Sequence, residues 1–159
     1  MDCDTSLKLS LARPSVYASS YLFWVFSPVS LREYEPHSVV IGRGVLIDYA
    51  AWAEKKGITY STFSTHQVRL SDILEIAKEC NITFQKGDIL FVRVGVTKEW
   101  DTVMTDEQKK QYSDNPSPEH AGVEATTDML RWLWDSGFAA IASDTISWEV
   151  RTAPAGRMF

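Results

Sequence analysis

Five charged residues stand at the ends of short apolar runs: Arg43, Asp48, Asp88, Arg93 and Asp144. A charge in such a place must reach solvent, meet an opposite charge or serve a site, because leaving it buried and unpaired is costly. Two uses are open to these groups, namely ion pairs and turn hydrogen bonds that hold strand ends, or the lining of a pocket. Asp144 is the strongest candidate for the second use, since it closes a run at its carboxyl end, where sheets of parallel strands present their pockets.

The histidines are His37, His66 and His120, and none has a second His or a Cys at ligand spacing. His66 reads as a loop residue and His37 as one preceding a strand. His120 and Glu124 are four apart and would share a helix face if a helix began early enough, but no third ligand stands near them. The alternative is a solvated pair near a helix N-terminus, where Glu is favoured in any case. Neither a Gly-x-Ser-x-Gly elbow nor a Cys beside a His is present. Triad partners need only meet in space, so this excludes little. Cys3 and Cys80 have no CxxC spacing, and Cys80, on a helical apolar stripe, is expected to be a reduced core residue.

The elements that must position these groups follow from the pattern. Residues 45–49, 89–94 and 138–142 are β-branched or aromatic, of strand length and apolar on both faces, as in a sheet covered on both sides. A short helix over 49–56 ends at Gly57, a left-handed cap. Ser71 opens a helix whose buried face is Ile73, Ile76, Ala77 and Cys80. Thr105 and Gln108 form a capping box for a polar helix through Tyr112. The longest helix is expected over 123–136, with Met129, Leu130, Leu133 and Trp134 as its apolar face. The fold class is α/β, a mixed sheet with flanking helices. Residues 1–36 read as an irregular segment, 37–150 as the domain and 151–159 as a tail. Gly42-Arg43-Gly44 precedes its strand and so lacks the context of a dinucleotide fingerprint.

With 159 residues, 45% apolar and 23% charged, the chain fits one folded domain. A net charge of −5 with no long basic run argues against nucleic acid as a partner. The apolar stretch 16–29 is too short to span a bilayer and lacks a basic lead-in and a clean cleavage site, so no membrane association is expected and the cytoplasm is favoured.

The segments Gly42-Arg43-Gly44-Val45-Leu46-Ile47-Asp48-Tyr49 and Gly87-Asp88-Ile89-Leu90-Phe91-Val92-Arg93 resemble the putative cyclase family, which includes the kynurenine formamidases. The likeness continues through Ala121-Gly122-Val123-Glu124 and Leu130-Arg131-Trp132-Leu133-Trp134 to Phe138-Ala139-Ala140-Ile141-Ala142-Ser143-Asp144, and is greatest to fungal members. It implies a swivelling β/β/α fold and a zinc- or manganese-dependent hydrolase of amide bonds. N-formylkynurenine is the best-known substrate, in tryptophan catabolism, and a homo-oligomer is implied as well. The metal would activate water and polarise the carbonyl.

The family's H-x-G-T-H-x-D motif has no counterpart here: residues 1–36 contain no histidine, although Asp2 and Asp4 are present. The family's later His and Glu ligands, which follow the strand ending at Asp144, are also missing, and neither His120 nor Glu124 takes their place. No metal ligand, cofactor or catalytic residue is therefore assigned, and Asp144, Arg93, Asp48 and Arg43 remain candidates for a pocket or for strand-end ion pairs. The expectation is the central portion of such an enzyme, fold incomplete. The alternative is a non-catalytic remnant or interaction module.

Overall fold

The structure is a computed structural model that describes residues 42–152. The segment expected to be irregular, the apolar stretch 16–29, His37, Asp2, Asp4 and Cys3 lie outside the described residues. Among the described residues no helix is long and apolar enough to cross a membrane.

Three strands, β1 (Gly44–Asp48), β3 (Ile89–Arg93) and β5 (Ala140–Ser143), form one sheet in the order β1-β3-β5. Both pairings are parallel, with Gly44 opposite Ile89, Asp48 opposite Arg93, and Val92 opposite Ser143. These are the three runs that the apolar patterning selects, and it selects them because Ile47, Leu90, Val92, Ala140 and Ala142 are buried. A second pair, β2 (Gln67–Val68) and β4 (Gly122–Val123), is also parallel. The expected α/β class with flanking helices holds, and among the described residues the ladders are parallel, with one antiparallel bridge, His120 to Arg151. That bridge ties the first residue of the expected tail to the domain.

Helix α1 (Tyr49–Lys56) follows β1 without a loop, because the Asp48 side chain accepts from Ala51 N at 3.0 Å and caps it. Gly57 ends it at φ 71°, a left-handed conformation that costs a side-chain-bearing residue more. Helix α2 (Leu70–Glu79) starts earlier than expected: Asp72, not Ser71, does the capping, its carboxylate accepting from Arg69 N at 3.1 Å. Its face of Ile73, Ile76 and Ala77 joins the core as the pattern requires. Cys80 lies half-buried just beyond its end and packs against the core.

After β3, Gly95 turns the chain at φ 97° into α3 (Val96–Thr102), a helix the sequence pattern does not reveal. Helix α4 (Asp106–Asp114) carries the expected capping box of Thr105 and Gln108. Helix α5 (Thr127–Ser136) begins four residues later than expected, since Gly122 and Val123 are committed to the ladder with β2 and Thr126 then caps Met129 N. Its inward face also differs. Met129, Trp132 and Leu133 meet the core, while Leu130 and Trp134 are 57% and 66% exposed.

Candidate functional site at the carboxyl ends of the parallel strands

The parallel ladder places Asp48, Arg93 and Asp144 at one end of the sheet and Arg43 and Asp88 at the other. At the amino end Arg43 donates from Nε to Asp88 Oδ1 at 2.8 Å and from Nη2 to Asp88 Oδ2 at 2.7 Å. The same Nη2 donates to Thr83 O, and Gln85 N donates to Asp88 Oδ2. These bonds, Arg43's first, hold the Asp88 carboxyl below the usual carboxylate range against the opposing effect of burial. The arrangement is a bidentate clamp between β1 and the turn before β3.

At the carboxyl end the pair is reversed, Arg93 Nη1 donating to Asp48 Oδ2 at 2.6 Å with both side chains partly open to solvent. Asp144 accepts from Val94 N at 2.6 Å and Gly95 N at 2.9 Å, fastening the chain as it leaves β3 to the end of β5. All four candidate residues thus make polar contacts at strand ends. Asp144, the strongest pocket candidate, spends both carboxylate oxygens on backbone.

Over this end stand three aromatic side chains that the sequence reading did not single out together. Tyr49, the first residue after β1, is buried, and its hydroxyl lies 2.7 Å from His66 Nε2. Tyr60 stacks on the His66 ring at 4.2 Å between centroids and 15° between planes, and donates its hydroxyl to Val94 O at 2.6 Å. Burial lowers the His66 pKa from its ordinary value, and burial, followed by the nearby Asp72 charge, pushes Tyr49 up to about 12. Burial also raises Tyr60. At neutral pH the imidazole is therefore uncharged and the Tyr49 hydroxyl protonated. The hydroxyl donates to Nε2 when Nδ1 carries the ring proton and accepts in the other tautomer.

Beside this group Glu99 of α3 accepts from Ser61 Oγ, Thr62 N and Thr62 Oγ1 at 2.6 to 2.7 Å. It fixes the loop that brings Tyr60 and His66 over the strand ends.

A family model described as Putative cyclase matches residues 25–150. The chain belongs to this cyclase family. A solved structure described as the crystal structure of a novel cyclase is similar to it with a TM-score of 0.55 and 22% identity, covering 69% of this chain and 33% of that one. At that identity the likeness establishes the fold. The chain spans about a third of the length of that solved structure's chain, by the 33% coverage. No curated protein matches it.

The described residues of this chain do not fit the zinc or manganese ion that the resemblance implies. Among them no group of three His, Cys, Asp or Glu could hold an ion. The expected alternatives for His120 and Glu124 also resolve: Gly122 and Val123 between them are extended, so the two share no helix face. His120 is buried, its Nε2 2.6 Å from Ser147 Oγ, and burial lowers its pKa. Glu124 instead accepts from Leu70 N at 2.8 Å, at the start of α2.

Three residues of the site escaped the sequence reading for identifiable reasons. Tyr49 was absorbed into a helix start, Tyr60 lies in a polar stretch without period, and Glu99 sits on α3, hidden because Gly95 reads as a simple bend. The available signal was the recurrence of ring-bearing residues, Tyr60, Phe63 and His66, at every third position.

Proposed function

We propose that this cyclase-family chain takes part in arylformamidase-type hydrolysis, releasing kynurenine from N-formylkynurenine in tryptophan catabolism, and that the substrate carbonyl is held beside His66 at the carboxyl ends of the strands. The observation that carries the reading is the neutral His66 imidazole bonded to the Tyr49 hydroxyl above the ends of parallel strands, in a chain whose family is established. Such a pair can move a proton, with the imidazole accepting it and the hydroxyl holding the ring in place. In the family a zinc or manganese ion supplies activated water. The described residues do not provide its donors, so no step here runs through it.

The test is kynurenine release from N-formylkynurenine by the purified full chain supplemented with zinc or manganese, with His66→Ala as control. Turnover that falls by about two orders of magnitude in the variant is expected for loss of a proton-transfer group. No turnover, or turnover unchanged by the substitution, overturns the reading.

A second reading, an interaction module without catalysis, is favoured by a different observation. Leu130 and Trp134, one turn apart on α5, leave two large apolar side chains facing solvent. Under this reading the chain self-associates in light scattering and Trp134→Lys restores the monomer, whereas a wild-type monomer that binds no apolar dye removes its support.

A further inference from the structure

A pocket of about 400 Å³ lies between α3, α4 and the 61–63 loop, outside the His66 cluster. One wall is aromatic. Phe63 and Tyr112 meet edge to face at 4.8 Å between centroids, with Trp100 behind them at 5.6 Å from Phe63. Most of the polar lining offers donors, while Gln111, which also lines it, carries both an amide oxygen and an NH₂ group.

Glu99, on the inner side, has both carboxylate oxygens occupied by Ser61 and Thr62. Gln108 lines the pocket with an amide whose oxygen accepts from Thr105 N at 2.9 Å. A backbone N–H can only donate, so the side-chain oxygen is fixed on it and the NH₂ group is left over. Asn115 repeats the arrangement, its Oδ1 accepting from Ser117 N at 3.0 Å. The Tyr112 hydroxyl is shut from solvent and has no protein partner among the described residues, and burial raises its pKa, so it too stays a donor. Lys109 directs its ammonium over the Trp100 ring, 5.6 Å from the centroid. Rings together with the unspent N–H groups of Gln108 and Asn115 favour a flat ligand with an acceptor oxygen. Glu99 disfavours an anion, and the leftover donors disfavour a cation.

We infer that this pocket binds an uncharged aromatic carbonyl compound, its ring against Phe63 and Tyr112 and its oxygen facing the NH₂ groups of Gln108 and Asn115. The site is independent of any hydrolysis at His66.

Titration of the isotope-labelled full chain with benzamide, followed by amide NMR shifts, tests it. Saturable shifts confined to residues around α3 and α4 are expected. Toluene, which has the ring without the acceptor, and benzylamine, which carries a cation, bind about tenfold more weakly or worse, the worth of one or two net hydrogen bonds. The double variant Gln108→Glu with Asn115→Asp keeps both acceptor oxygens, and so the helix cap and the turn, while removing both NH₂ groups. It weakens benzamide about tenfold at unchanged melting temperature. Absence of saturable shifts, toluene binding as well as benzamide, or a folded double variant with unaltered affinity each overturns the inference.

Discussion

The two ends of the β1–β3 ladder carry the same kind of ion pair in opposite senses, Arg43 to Asp88 at the amino end and Asp48 to Arg93 at the carboxyl end. At the amino end the carboxylate is 2% exposed and takes three hydrogen bonds from two partners, Arg43 and Gln85. At the carboxyl end the carboxylate is 32% exposed and takes one bond from Arg93 while also capping α1. A buried, multiply bonded carboxylate fixes register. An open one leaves a mouth beside which Tyr49, Tyr60 and His66 can gather.

The contrast is broken most severely at Asp88. Asp88→Asn removes the charge that faces Arg43 and one acceptor of the clamp, and is expected to cost about 2 to 3 kcal/mol in urea unfolding, because at this buried position the new amide NH₂ faces the donors of Arg43 or Gln85. The same residue governs the acid limb. Its folded pKa is depressed, so its contribution is fully present above the unfolded value and is lost as pH falls through the folded one. Stability of the wild type should therefore decline with acidification below about pH 4, and the Asn variant should show a flatter decline there, as read by melting temperature across a pH series.

Asp144→Ala is smaller. It strips the acceptors from Val94 N and Gly95 N, and about 2 kcal/mol is expected, with hydrogen exchange at those two amides rising more than elsewhere. Asp48→Asn should be the mildest, about 0.5 kcal/mol, since an exposed pair contributes little and Asn caps a helix nearly as well. If Asp48→Asn proved as damaging as Asp88→Asn, the distinction between a structural end and an open end would fail.

The strands were legible because burial on both faces writes an unbroken apolar run, as in residues 89–94. Helix α1 was legible for a different reason, its stop being a glycine in the conformation glycine favours. What was not legible depended on contacts across the chain. Pairing of Gln67 and Val68 with Gly122 and Val123 kept the latter out of α5, and two residues make too short a run to announce a strand. On α5 the period alone offered Leu130 and Trp134 as readily as Trp132, and only the sheet's position decides between them. The charged candidates were found, since a charge ending an apolar run is conspicuous, but their partners were not, because each lies 45 or more residues away. His66 was visible as a residue but not as a site, its meaning coming from Tyr49 and Tyr60.

The arrangement of β3 between β1 and β5 has a further consequence for how the chain reaches this state. No hairpin can start the sheet, since the central strand meets neighbours that lie some 45 residues earlier and 50 later in the chain. Each pairing must first close a long loop, which slows topologies of this kind. During synthesis the flank of β3 that awaits β5 lacks that partner until some 50 further residues have left the ribosome, so the nascent chain is open to illicit strand pairing in that interval.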